Sequence, residues 1–219
     1  LWGVLLAAMQ NDIKRLLAYS SIENVGIIFI AIGVALLGRS AGNDAVALCG
    51  MAGALLHTLN HSFFKSLLFF GAGNLYAETH TTALDRFGGV ARQMPVTGIV
   101  FLGAPRTHEV AEMHEADNYR IAAMALPAAG ILFIGLLPWT VLPLLTKVAA
   151  TLLPGLGAGR QPAAELPLWA GLTQITLVAA VLIAATALLL VAKRRALRRR
   201  TVASGPTWGC GFTAVNTRM

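Results

Sequence analysis

The chain has 219 residues, 56% of them apolar and only 12% charged, and its formal net charge is +7. That charged share is about half of what a soluble domain carries, and the mean hydropathy is +0.68. Together these values exclude a soluble enzyme and a disordered tail, and with Cys49 and Cys210 as the only cysteines they also exclude a disulfide-stapled secreted module.

Taken in chain order, the opening LWGVLLAAM (Leu1–Met9) reads as the end of an earlier helix, because it has no preceding basic region of a signal peptide and no initiating Met. This predicts a chain truncated before Leu1. Four apolar stretches follow: Leu16–Leu37, Ala45–Leu75, Ile121–Leu145 and Leu168–Ala192. Each exceeds the roughly 20 residues a helix needs to cross a bilayer, and helices leave no backbone group unpaired in lipid. The expected fold class is therefore all-α, a polytopic membrane helix bundle with about four full transmembrane helices plus partial ones. The second stretch has 31 residues, near 46 Å at helical rise, so it must tilt, break or protrude. The third contains Pro127, Pro138 and Pro143 and is expected to kink. Val96–Ala104 is nine residues long, too short to span, and belongs to the interface or to a broken remnant.

The basic residues orient these segments. With the turn Asp12–Arg15 in the cytoplasm, 13 basic residues fall on that side, the link from Glu78 to Arg120 and the tail after Ala192 included, and only Arg39, Lys147 and Arg160 fall outside. The positive-inside rule selects this topology, with a cytoplasmic C-terminus. Arg194, Arg195, Arg198, Arg199 and Arg200 directly follow a span, which suits anionic lipid headgroups better than nucleic acid.

Ionisable groups at membrane depth cost roughly 2.5–3.5 kcal/mol each on insertion scales, so they require a reason. In LLHTLNHSFFKSLLFFGAGN, His57, His61 and Lys65 recur at i, i+4 and i+8 and form one stripe about 12 Å long, directed into a bundle or a hydrated cavity. Glu23 sits nine residues after Lys14, at comparable depth, beside Ser20, Ser21 and Asn24. Imidazole accepts a proton on one nitrogen and donates from the other, and a desolvated lysine gives up its proton more readily. Glu23, His57, His61 and Lys65 are thus candidates for a proton relay through intervening water, with Lys14, Asn24 and Ser20 as accessory residues; the alternative is that these groups only pair with one another and hold helices together. Two His at i, i+4 cannot sit on opposite faces of one haem, and HTLNH lacks the glutamate of a zincin. No catalytic residue, cofactor or metal is expected. The charged HEVAEMHEAD segment reads as a solvated surface, and Gly and Pro in Leu152–Pro167 mark an external loop.

DIKRLLAYSSIENVGII followed by LLHTLNHSFFKSLLFFGAGN resembles the antiporter-like, proton-translocating membrane subunits shared by respiratory complex I, Mrp antiporters and membrane-bound hydrogenases. SSIENVG, FLGAPRTHEVAEMHEAD and TWGCGFTAVNTRM are most similar to the hydrogenase-4 component B and formate hydrogenlyase branch. The resemblance implies a prokaryotic inner-membrane location, partner membrane and hydrophilic subunits that carry the electrons, and a bundle of inverted repeats with broken helices. It puts the His57, His61 and Lys65 helix on a central hydrophilic axis.

It also divides the chain into residues 1–95, the C-terminal part of the antiporter-like transmembrane domain; 96–120, a cytoplasmic link with a broken-helix remnant; 121–192, a C-terminal helix pair; and 193–219, a basic tail. MPVTG at Met94–Gly98 runs almost at once into FLGAPR, where family members insert a broken helix with its own lysine and most of another helix. That lysine has no counterpart, which predicts an internal deletion. The functional expectation is a fragment of a proton-translocating subunit; a non-conducting remnant and a cation/proton antiporter subunit are the alternatives.

Overall fold

The computed structural model describes residues 1–87, 90, 94–99, 114–153 and 168–197. Among these residues the chain is all-α, with no strand beyond an isolated bridge between Asp12 and Ala83. The helices are α1 (Trp2–Ala8), α2 (Ile13–Ser40), α3 (Asp44–Thr79), α4 (Asn118–Leu136), α5 (Pro138–Leu152) and α6 (Leu168–Leu197). Two of them, α2 and α4, are long and apolar enough to cross a membrane, with mean hydropathies of 2.0 and 1.7 over their most apolar windows.

Helix α2 begins where the side chain of Asp12 accepts from the N–H of Arg15 at 2.9 Å, satisfying one of the donors a helix start leaves free. It ends in a Schellman turn: Gly42 takes φ +66°, its N–H reaches the Arg39 carbonyl at 3.1 Å, and the Asn43 N–H reaches the Gly38 carbonyl at 2.8 Å. Asn43 then caps α3 by accepting from the Val46 N–H at 3.1 Å. Two residues of special chemistry thus reverse the chain, and α3 returns antiparallel to α2.

The first turns of that hairpin pack on small residues. A Cβ at Gly38 would stand 2.5 Å from the Ala47 nitrogen, and one at Gly50 would stand 2.6 Å from the Ala35 nitrogen and 2.9 Å from the Ala31 carbonyl oxygen. Backbones approach this closely only where side chains are minimal, which is how helices pack when lipid supplies no hydrophobic drive. Helix α1 meets α2 in the same way, with Gly3 against the Glu23 backbone.

Helix α3 is one uninterrupted helix of 36 residues, about 54 Å long at helical rise. The second apolar stretch therefore does not break. The third expected stretch differs from the sequence reading, since Ile121–Leu145 is divided between α4 and α5. Leu137 leaves the helical region at φ −125° and ψ 50°, because the ring of Pro138 crowds the preceding residue and supplies no N–H. The two halves still follow α3 as one antiparallel, kinked track. Met124 meets Asn74, Gly130 lies against the ring of Phe63, and Leu142 and Ala149 pack on Leu48 and Ala52.

At the other end of α3, Ile13, Leu17, Ala72, Leu75, Phe87, Val90, Met94 and Ala116 form a buried cluster. The Ile13 N–H to Thr82 carbonyl bond (2.8 Å) and the Leu84 N–H to Asn11 carbonyl bond (2.8 Å) tie it to the start of α2. Of the short segment Val96–Ala104, residues Thr97–Ile99 form a 3-10 turn, and 100–104 lie outside the described residues, as do His108, Arg198–Arg200 and Cys210.

Residues 173–219 form a unit separate from 1–172. Within it, α6 carries the apolar run 176–192 and continues past Arg194 and Arg195 to Leu197.

Gly50→Ala is expected to destabilise the hairpin by about 1–3 kcal/mol, the usual cost of overpacking. Gly53, one turn away, has nothing within 4 Å of an added Cβ, so Gly53→Ala is expected to be neutral or slightly stabilising. Thermal denaturation of both purified variants in detergent checks this; equal melting temperatures would contradict the packing described.

Candidate functional site

The antiparallel register of α2 and α3 brings the polar residues of both helices to one interface. His57 Nε2 lies 3.0 Å from Asn24 Oδ1. Two turns further along α3, Lys65 is 6% exposed and its Nζ donates to the Leu17 carbonyl oxygen at 2.8 Å. Ser21 Oγ donates to that same oxygen at 3.1 Å. Helical carbonyls normally serve their own helix, so a second and third donor on Leu17 make it an acceptor shared between helices. Between these contacts lies His61, whose Nε2 is buried and has no hydrogen-bond partner among the described residues. Its ring packs edge-on to Phe64, with centroids 5.2 Å apart. The i, i+4, i+8 stripe thus faces α2, with a satisfied imidazole, an unsatisfied imidazole and a buried ammonium in sequence.

The other expected residues take different positions. Glu23 is half-buried on the α1 side of α2 and forms no ion pair among the described residues. Asn24 is held by its own amide, Nδ2 donating to the Ser20 carbonyl at 2.8 Å. Ser20 therefore contributes its backbone oxygen. Lys14 does not join the stripe. It is exposed at the start of α2, and its Nζ stands 4.2 Å from the centre of the Tyr76 ring, a cation–π contact.

A second polar cluster joins α3 to the segment before α4. Asn74, 5% exposed, donates through Nδ2 to Met124 Sδ at 3.1 Å and to Thr97 Oγ1 at 3.4 Å. Thr97 Oγ1 donates in turn to Glu115 Oε1 at 2.8 Å, and the N–H groups of Val96 and Ala116 reach the same carboxylate at 2.6 and 3.1 Å. Burial pushes the Glu115 carboxyl upward, but these bonds outweigh it and hold the group below its ordinary range. Nearby, Asp12 accepts from the Thr82 hydroxyl and from the Arg15 N–H, and both bonds lower its carboxyl.

Sequence reasoning missed this cluster. A lone amide in the apolar run LFFGAGN was the available signal for Asn74, whereas Glu115 sits in a charged segment with the composition of a solvated loop. The acceptor of Lys65 left no trace in sequence, because it is the backbone of a leucine.

Residues 1–105 match the transmembrane family described as NADH:quinone oxidoreductase/Mrp antiporter. Over 102 residues the chain is 48% identical to hydrogenase-4 component B of Escherichia coli, covering 47% of this chain and 15% of that protein. It is 41% identical over 100 residues to formate hydrogenlyase subunit 3 of the same organism, covering 46% of this chain and 16% of the relative. It is 43% identical over 100 residues to NAD(P)H-quinone oxidoreductase chain 4 1 of a Synechococcus strain, covering 46% of this chain and 17% of the relative. The resemblance read from the two motifs is borne out: the α1–α3 region is homologous to a membrane antiporter-like subunit family. The chain spans 15 to 17% of the length of these relatives.

The Glu115 cluster predicts a signed acid response. A carboxyl held below its unfolded value adds stability above that value and loses it as pH falls through the lower, folded one. Glu115→Gln should lower the melting temperature at pH 7 and lose less than the wild type below pH 4.5, the ordinary value of this group. Melting curves at pH 7 and across the acid range check both signs; parallel acid loss in the two proteins would contradict the arrangement.

Proposed function

We propose that the α2–α3 pair is the proton relay of an integral membrane subunit in a hydrogenase or complex-I-like assembly of prokaryotes. The observation that carries this reading is the stripe of His57, His61 and Lys65 turned onto α2, with a buried His61 nitrogen that no group among the described residues satisfies. Groups retained only to join helices are satisfied by one another, whereas an unsatisfied imidazole nitrogen one helical turn from a buried ammonium is free to take up an exchangeable proton. Glu23 serves as the acidic exchange site, His57 and His61 as shuttles, and Lys65 as the switchable cation whose proton moves on when the neighbouring charge changes. A proton enters on one group and leaves on the next, so each step conserves charge and needs no redox centre in this chain. Electrons belong to partner subunits, as the homology to hydrogenase, formate hydrogenlyase and quinone oxidoreductase subunits supports.

One observation favours a second reading. The Lys65 ammonium already has a backbone acceptor on α2, which also suits a cation that merely fastens two helices. Substitutions separate the two. With the partner subunits assembled in the native membrane, Lys65→Ala should abolish proton uptake while leaving the complex intact, since removing a charge relieves an insertion cost of about 2.5–3.5 kcal/mol. Lys65→Arg should not restore uptake, because a guanidinium keeps its proton. Failure of the alanine variant to assemble, together with wild-type uptake by the arginine variant, would favour the fastening reading.

The same reading orients the chain with the start of α2, the residues after α3 and the C-terminus in the cytoplasm, and assigns anionic lipid to Arg194, Arg195, Arg198, Arg199 and Arg200. The excess of basic residues on that side supports it. In a protein lacking Cys49 and Cys210, a cysteine at the exposed position Asp85 should resist impermeant maleimide added to intact cells and react once the membrane is opened. Labelling in intact cells would reverse the topology.

A further inference from the structure

We infer that Asn24 is a positioning residue that fixes the tautomer of His57, so that His57 exchanges protons through Nδ1 alone. The inference rests on the relay reading for its functional meaning, but the geometry behind it is independent. Asn24 Nδ2 is 2.8 Å from the Ser20 carbonyl oxygen, which can only accept. Turning the amide over would set two acceptor oxygens against each other inside a helix interface, where an unmade hydrogen bond is costly. The Ser20 carbonyl therefore decides which way the amide faces, and Oδ1 is left pointing at His57 Nε2 at 3.0 Å. An amide oxygen only accepts, so Nε2 must carry a hydrogen in both the neutral ring and the imidazolium. Nδ1 is the remaining site for the variable proton.

This changes what His57 does in a relay. A ring free to use both nitrogens passes a proton through itself, in at one side and out at the other. The oxygen of Asn24 is far too weak a base to take the proton from Nε2, so with that bond intact the proton must arrive at Nδ1 and leave from Nδ1. His57 then behaves as a store that is filled and emptied from one side. Passage through the ring requires the Asn24 bond to break first, which makes that bond a control point. His61, with its Nε2 unpartnered, is under no such restraint and keeps both nitrogens available.

The test is nitrogen-15 NMR of ring-labelled histidine in the full chain reconstituted in lipid bilayers, at a pH where the rings are neutral, with the His57 signals assigned by their loss in His57→Gln. The wild type should give a single His57 tautomer, protonated at Nε2 and bare at Nδ1. Asn24→Leu keeps the branched outline and removes the acceptor, and should release a second population protonated at Nδ1. A hydrogen on Nδ1 in the wild type, or a Leu variant with the wild-type spectrum, would overturn the inference. The relay reading fails on different data: if the tautomer is as stated and Lys65→Ala still takes up protons at the wild-type rate, the Asn24 assignment stands and the relay does not.

Discussion

The close backbone approach of α2 and α3 at Gly38 and Gly50 is the constraint on which the rest of the arrangement turns, the hydrogen bond from Lys65 to the Leu17 carbonyl included. An ammonium in the middle of an apolar bundle is tolerable only where it finds an acceptor, and the apolar side chains around it offer none. The helix backbone supplies it. For Nζ to reach a carbonyl already engaged within its own helix, α2 and α3 must run antiparallel in one register. That register is set at the other end of the pair, where Gly38 and Gly50 admit the facing backbone too closely for any other side chain. Tight packing at one end thus aligns the polar contacts at the other.

That register has consequences outward from the pair. Because α3 continues for 36 residues without a break, it serves as a rail for α4 and α5. The kinked α4–α5 track lies along it from Asn74 to Leu48, and the proline break at Leu137 lets the track bend without leaving the rail. The Asn74, Thr97 and Glu115 bonds secure the segment before α4 to the same rail. His57, His61 and Lys65 therefore lie on a helix that α2, α4 and α5 all pack against.

Much of this was legible in the sequence because lipid imposes simple rules. Length and hydropathy locate α2 and the approximate reach of α3, and the period of 3.6 residues puts His57, His61 and Lys65 on one face. What escaped was whatever depends on the backbone or on distant partners. No pattern of residue types announces that Leu17 offers its carbonyl, or that Glu115, amid a run of charged residues, turns inward to bind the N–H groups of Val96 and Ala116. Pro138 was visible as a kink, yet its effect depended on position: Pro127 and Pro143 lie inside helices that continue past them, while Pro138 begins a new one.

The central claim is that the imidazole nitrogens of this stripe move protons, and His61 isolates it best. Its Nε2 has no partner to lose among the described residues, and its ring packs on Phe64 through an edge contact that phenylalanine reproduces. The decisive measurement is proton uptake by membrane vesicles carrying the assembled complex with His61→Phe, normalised to the amount of complex present. The account predicts a complex assembled at wild-type levels with proton movement lost, whereas uptake at the wild-type rate would contradict it.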